Sequence, residues 1–172
     1  MSARAGVCCK GQGVRFVKPF LTIVAVLFSS LLVGCAPQRP AIIIDLERRA
    51  ESGDRDAAYE LAEKYDAGRG VEYDSKAAFE NYLRAALRNH AEAQFKLANR
   101  FNGGVGVPRN VLESLTWYLI AQRNPALSSR SRRLADGYVR TFFSVHAMQN
   151  GRSLRLMQEA ERRADVWKPL SD

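Results

Sequence analysis

The sequence holds three cysteines in 172 residues, and all of them stand early, at Cys8, Cys9 and Cys35. From residue 36 onward there is no thiol, which excludes a disulfide framework, a CxxC redox site and a thiolate metal site in the main body of the chain. Histidine is almost as scarce. His90 and His146 stand alone, neither belongs to an HExxH pair, and isolated histidines of this kind read as surface or capping residues. No GxSxG or SxxK occurs anywhere, so the usual signatures of an activated serine are missing. A long apolar run is missing too: the largely apolar stretch from Phe20 to Val33 has 14 residues, short of the roughly 18 that a spanning helix needs. These absences predict no catalytic residue, no metal site and no cofactor.

Acidic residues are lacking in the first 35 positions, which carry Arg4, Lys10, Arg15 and Lys18. The formal net charge of +8 therefore divides into +4 from that segment and +4 from the 22 basic and 18 acidic residues that follow. A nucleic-acid reading of the high pI loses half its support, and no nucleic-acid partner is predicted. Residues 36–122 hold 12 basic and 13 acidic side chains, whereas 123–172 hold 10 and 5, so the excess lies in a basic C-terminal segment.

The N-terminus is a basic head followed by the apolar run and then Leu32-Val33-Gly34-Cys35. That order has the shape of an export signal, and the four residues resemble the lipobox of bacterial lipoprotein precursors. The resemblance implies a signal peptide over 1–34. It also implies cleavage before Cys35, a diacylglycerol on the Cys35 sulfur and an acyl chain on its new amino group. Position 36 is Ala, not the aspartate that retains such lipoproteins at the inner membrane. The resemblance thus implies a lipid anchor in the outer membrane, facing the periplasm. Several acyl chains at about 0.8 kcal/mol per CH2 make such an anchor permanent. Residues 35–41 form a lipidated tether; its "APQRPA" spans at most about 20 to 25 Å at roughly 3.3 to 3.6 Å per residue.

The body of the chain repeats itself. Shifted by 36 positions, residues 57–87 fall on 93–123 with nine identities and no gap, among them Ala57/Ala93, Leu61/Leu97, Gly68/Gly104, Gly70/Gly106 and Tyr82/Tyr118. A period of this length is the mark of a helical solenoid. In each unit a first helix is read from Ala58, Leu61, Ala62 and Tyr65, and a second from Ala78, Phe79, Tyr82 and Ala86. Gly68 and Gly104 stand where the first helix should end in a left-handed residue. Asp74 and Asn110 stand where the second begins, and Glu113 extends Asn110 toward a capping box. The glycine stretch "GGVGVPRN" at 103–110 is therefore a turn. It has neither the Gly-Lys-Ser/Thr of a phosphate loop nor the preceding strand of a dinucleotide loop.

This pattern of Leu-Ala, aromatic, Gly-x-Gly-Val, a polar cap and a closing Ala is similar to Sel1-like repeats, relatives of tetratricopeptide repeats. The resemblance implies an all-α, right-handed helical solenoid. Its parts are a capping helix over 42–55, whose Ala50 aligns with Ala86, two repeats over 56–123, closing helices over 124–169 and a tail at 170–172. Ile42, Ile43, Ile44 and Leu46 either cap the stack or touch the bilayer; capping is preferred, because an open solenoid end exposes core. The closing pair is read from Leu134, Tyr138, Phe142 and Val145, then Met157, Ala160, Ala164 and Trp167, with Trp167 in the core and Pro169 as the stop.

In related stacks the first helices line a concave groove. The resemblance places Asp56, Tyr59, Glu63 and Asp66 there, with Glu92, Phe95, Asn99 and Asn102 at the equivalent positions. Such a groove would be acidic and floored by two aromatics, suited to a basic or extended segment of an envelope protein. The other reading, in which Tyr59 and Phe95 are core and the acids merely solvated, stays open at this level. So does a second function: association with peptidoglycan or an exported polysaccharide.

Overall fold

The computed structural model describes residues 39–147 and 151–170. The readings placed on residues 1–38, Cys35 among them, and on the side chains of Val145 and His146 lie outside the described residues. What is described is seven α-helices and no strand, so the all-α solenoid read from the repeat is what the chain forms. They are α1 (Ala41–Glu51), α2 (Arg55–Ala67), α3 (Ser75–Leu87), α4 (Ala91–Gly103), α5 (Val111–Arg123), α6 (Ser129–Ala147) and α7 (Gly151–Val166). Each of α1 to α5 packs on the next, and α5 then takes both α6 and α7. No helix among the described residues is long and apolar enough to cross a membrane.

The helix ends follow the chemistry at the punctuation points. Gly68 and Gly104 close α2 and α4 in the left-handed region, at φ 63° and 70°, where a Cβ would cost about 1 to 2 kcal/mol. Asp74 accepts the amides of Lys76 and Ala77 to cap α3, and Asn110 accepts that of Glu113 to cap α5. The capping box at Asn110 does not close: its amide donates to the Phe101 carbonyl, and the Glu113 carboxylate is taken by Arg163 of α7 at 2.8 Å. A second pair of caps obeys the same 36-residue period. Asp54 caps α2 and His90 caps α4, and before them Gly53 and Asn89 share a positive φ of 102° and 65°.

The core repeats with the sequence. Ala57, Leu61, Ala62, Tyr82 and Ala85 are buried, and so are Ala93, Leu97, Ala98, Tyr118 and Ala121 one period later. More than half of the buried apolar side chains are alanine, which lets the helices pack closely along the stack. At the first end α1 buries Ile43, Leu46 and Ala50, so it caps the stack, while Ile42 and Ile44 stay half-exposed. The two repeats diverge at α5. It is apolar nearly all round and buries residues 114–118 as well as Ile120 and Ala121, because α7 covers the side that α3 leaves open. Leu115 there joins Phe142, Met157 and Ala160 in a second cluster. In α6 the buried stripe is Ser131, Ala135 and Phe142 with Tyr138 partly covered, and Leu134, expected inside, is exposed. Leu134 and the buried Ala135 are adjacent, about 100° apart around the helix, and Gly137 nearby gave no apolar signal to decide.

A polar pin holds the inter-repeat turns. Asn124, after α5, donates through Nδ2 to Asn89 Oδ1 at 2.9 Å and to Gln94 Oε1 at 3.1 Å, with Gln94 wholly buried. Beyond α7, Trp167 meets Trp117 edge-on at 6.1 Å, and the Leu170 amide donates to the Leu87 carbonyl at 2.8 Å.

Gly106 carries the tightest constraint. At φ +76°, its Cβ would fall 2.1 Å from the Ser75 carbonyl oxygen at the start of α3. Gly106→Ala is expected to cost about 3 kcal/mol, from left-handed strain plus displaced backbone. Gly68→Ala, with its nearest neighbour at 3.6 Å, should cost only about 1 kcal/mol. Urea denaturation of the two variants checks the difference. In the same assay Ser114→Ala should stabilise by about 0.5 to 1 kcal/mol, because the buried Ser114 hydroxyl has no partner where the first repeat carries Ala78.

Candidate interaction groove

The first helices of the two repeats, α2 and α4, bring most of the eight predicted groove residues into one polar strip, and their caps define its edge. Asp54 accepts the Asp56 and Ala57 amides and is clamped by Arg49 at 2.6 Å. The amide bond from Ala57, then the Arg49 bond, hold its carboxyl below the ordinary range. At the start of α4 the His90 Nδ1 accepts the Ala93 amide at 3.1 Å, which leaves the ring proton on Nε2, 3.7 Å from Asp56. Burial lowers the His90 pKa against the pull of Asp56, so the ring is kept neutral. Tyr59 stacks on that ring with centroids 4.3 Å apart, and burial, then Glu63 and Glu92, pushes its hydroxyl up to about 12. Asp56 itself is exposed.

Further along, the acids of α2 meet cations of α4. Glu63 accepts from the Tyr82 hydroxyl and from Lys96 Nζ, the latter at 2.8 Å. Asp66 pairs with Arg100, which is 6% exposed and sits over the Tyr82 ring at 5.4 Å. Burial raises the Glu63 pKa, but the bonds from Lys96 and Tyr82 outweigh it and leave the carboxyl below 4.5. The Tyr82 hydroxyl is driven well above the ordinary tyrosine range by burial and by Glu63.

The second repeat reproduces the geometry with neutral groups. Tyr118 donates to Asn99 Oδ1 at 2.5 Å, one period beyond the Tyr82 bond to Glu63, and Tyr138 of α6 donates to Asn102. Asn99 is exposed, whereas Phe95 is 8% exposed and tilts against Tyr118 at 5.9 Å, so it belongs mainly to the core. Glu92 points to the start of α6, accepting the Ser128 amide at 3.0 Å and the Ser131 hydroxyl at 2.7 Å. Burial raises its pKa and those two serines bring it down further than burial raises it.

The groove is therefore less acidic and less aromatic than its predicted residues alone suggest. Lys96 and Arg100 neutralise Glu63 and Asp66, Glu92 is engaged as a cap, and Tyr59 is the aromatic at the open edge. Sequence reasoning missed Lys96, Arg100, Tyr82 and His90 as parts of the strip. The usable signal was the separation of Glu63 from Lys96 and of Asp66 from Arg100, 33 and 34 residues, just under one repeat. Next to Asp56 a cleft of about 730 Å³ opens between the α1–α2 turn, the α3–α4 turn and the C-terminal residues Pro169 and Leu170. Among the described residues no cluster of three His, Cys, Asp or Glu side chains could hold a metal ion.

The lowered Glu63 pKa makes the strip sensitive to acid. A carboxyl held below its unfolded value stabilises the fold fully above that value and loses the contribution as pH falls through the folded pKa. The melting temperature should thus fall as pH drops below 4.5. Glu63→Gln should flatten that acid limb while remaining folded at neutral pH; equal slopes for both proteins would remove Glu63 as a source.

The Sel1 repeat family matches residues 55–90 and 91–121, which together make up less than half of the chain. No curated protein matches the sequence. Among solved structures, the chain resembles a Sel1 repeat protein from Oxalobacter formigenes, with 29% identity, a TM-score of 0.50, and coverage of 54% of this chain and 68% of that one. It also resembles c5321, a protective antigen present in uropathogenic Escherichia coli strains and displaying an SLR fold. The identity there is 21% and the TM-score 0.51, over 76% of this chain and 29% of that one. That second likeness bears on fold alone, and the chain spans under a third of the protein it resembles. Residues 55–121 are thus two consecutive Sel1 repeats set within an all-α helical solenoid, a type of repeat that generally mediates protein–protein interaction.

Proposed function

We propose that the protein is a non-enzymatic adaptor of the bacterial envelope, anchored by acyl chains on Cys35 in the outer membrane and facing the periplasm. The observation that carries the adaptor reading is the strip on α2 and α4, where two Sel1 repeats present a continuous polar face with Asp56 and Asn99 exposed along it. Its internal ion pairs, Glu63 with Lys96 and Asp66 with Arg100, fix the side chains that flank the exposed ones. A preorganised face of this kind loses little entropy when an extended polypeptide is laid on it. The partner is an envelope protein that offers a polar or basic segment to the Asp56 and Tyr59 edge. The anchor reading rests on the basic head, the apolar run and Leu32-Val33-Gly34-Cys35.

The adaptor is tested by crosslinking in cells followed by mass spectrometry of what co-purifies. Asp56→Lys with Glu60→Lys reverses charge at side chains 73% and 51% exposed, so the fold should be retained while capture of a specific partner drops about tenfold or more. Unchanged capture removes the groove from the reading. Capture that disappears on muramidase digestion of the wall replaces it with peptidoglycan association. Labelled palmitate should enter the wild-type chain and not Cys35→Ser; incorporation into that variant removes the anchor.

A further inference from the structure

The outer face of α6 carries a feature that the groove does not use. Arg130, Arg133 and Arg140 are exposed, and none has a carboxylate partner or a hydrogen bond among the described residues. Several neighbouring arginines are engaged instead, though Arg155 of α7 is exposed and unpaired among the described residues as well. Arg123 is paired with Asp165, Arg162 with Glu159 and Arg163 with both Glu113 and Glu159, while Arg132 donates to the carbonyls of Gln122 and Asn124. With Gly137 the three free arginines follow spacings of 3, 4 and 3, which at about 100° per residue is one side of the helix. That side lies opposite the stripe of Ser131, Ala135 and Phe142 that α6 buries. Around Gly137 a Cβ would meet nothing within 4 Å, so the middle of the stripe is open.

Two large apolar side chains border the arginines, one on each flank: Leu134, 55% exposed, and Phe143, 50% exposed. A crest of arginines edged on opposite sides by apolar groups, nine residues and about 180° apart, suits a particular kind of partner. A soluble polyanion would satisfy the guanidinium groups and leave Leu134 and Phe143 in water. An anionic bilayer satisfies both, since the guanidinium groups meet headgroup phosphates while the apolar side chains enter the boundary with the acyl chains. The position of α6 fits this contact, because it packs chiefly on α5 and α7 and less on α4, at the end of the stack remote from α1.

We infer that α6 is a membrane-surface helix that lays Arg130, Arg133 and Arg140 on anionic phospholipid, with Leu134 and Phe143 reaching into the interface. The surface does not depend on the adaptor reading or on the anchor at Cys35. It supplies a point of attachment at the far end of the solenoid from where residue 39 enters α1.

The test uses the full chain with Phe143→Trp and vesicles whose acyl chains are brominated, a quencher of indole fluorescence. The emission of the added tryptophan is taken as the difference from the unsubstituted chain, which cancels Trp117 and Trp167. Quenching is expected with phosphatidylglycerol vesicles and not with phosphatidylcholine vesicles. Adding Arg130→Gln, Arg133→Gln and Arg140→Gln should weaken binding to the anionic vesicles about a hundredfold, as three charges at a membrane surface imply. Leu134→Ser should reduce the depth of quenching while the melting temperature stays unchanged. Equal quenching in both lipids, or full quenching in the triple glutamine variant, overturns the inference. So does a change in emission with soluble polyphosphate when no vesicle quenches, which would assign the face to a soluble polyanion.

Discussion

Close approach of small residues at a fixed period is the constraint on which the structure depends. Alanines at 57, 62 and 85 and again at 93, 98 and 121 let each helix settle against its neighbours, so a chain of this length can stack five helices before α6 and α7 close the end. Gly106 expresses the same constraint in the turn. The loop between α4 and α5 sits so near the first residue of α3 that no side chain fits between them. Packing and turn geometry thus enforce each other, and the repeat length follows from both.

On that scaffold the large buried groups do the orienting. Tyr82 and Tyr118 fill equivalent places in the core and send their hydroxyls to Glu63 and Asn99, equivalent places on the groove. The second bond is neutral where the first is charged, so one geometry serves two electrostatic environments. The charged version needs Lys96 and Arg100 from the next repeat, and neighbouring units are joined there by ion pairs as well as by apolar contact.

The fold was largely legible because its signals are local and repeat. The left-handed caps at Gly68 and Gly104, the N-caps at Asp74 and Asn110, and the apolar spacings all follow from adjacent residues. The groove was less legible. Aligning the repeats shows which positions are equivalent but not which neighbours they meet, so Glu63 and Asp66 read as free acids until α4 was laid beside α2. Phe95 read as equivalent to Tyr59, and both tilt against the repeat's buried tyrosine at 5.9 and 5.8 Å, yet Tyr59 also stacks on His90 at the edge while Phe95 is buried. Leu134 failed for a different reason. Where the period ends there is no second copy to check a helix face against, and a single turn of α6 could be read either way.

Residues 167–170 tie the two repeats to each other. Trp167 packs on Trp117 of α5, and the backbone of Leu170 then bonds to the end of α3. A strap tied to the second helix of each repeat, α5 and then α3, couples their unfolding, so these two units lose the independence that repeats have in a longer array.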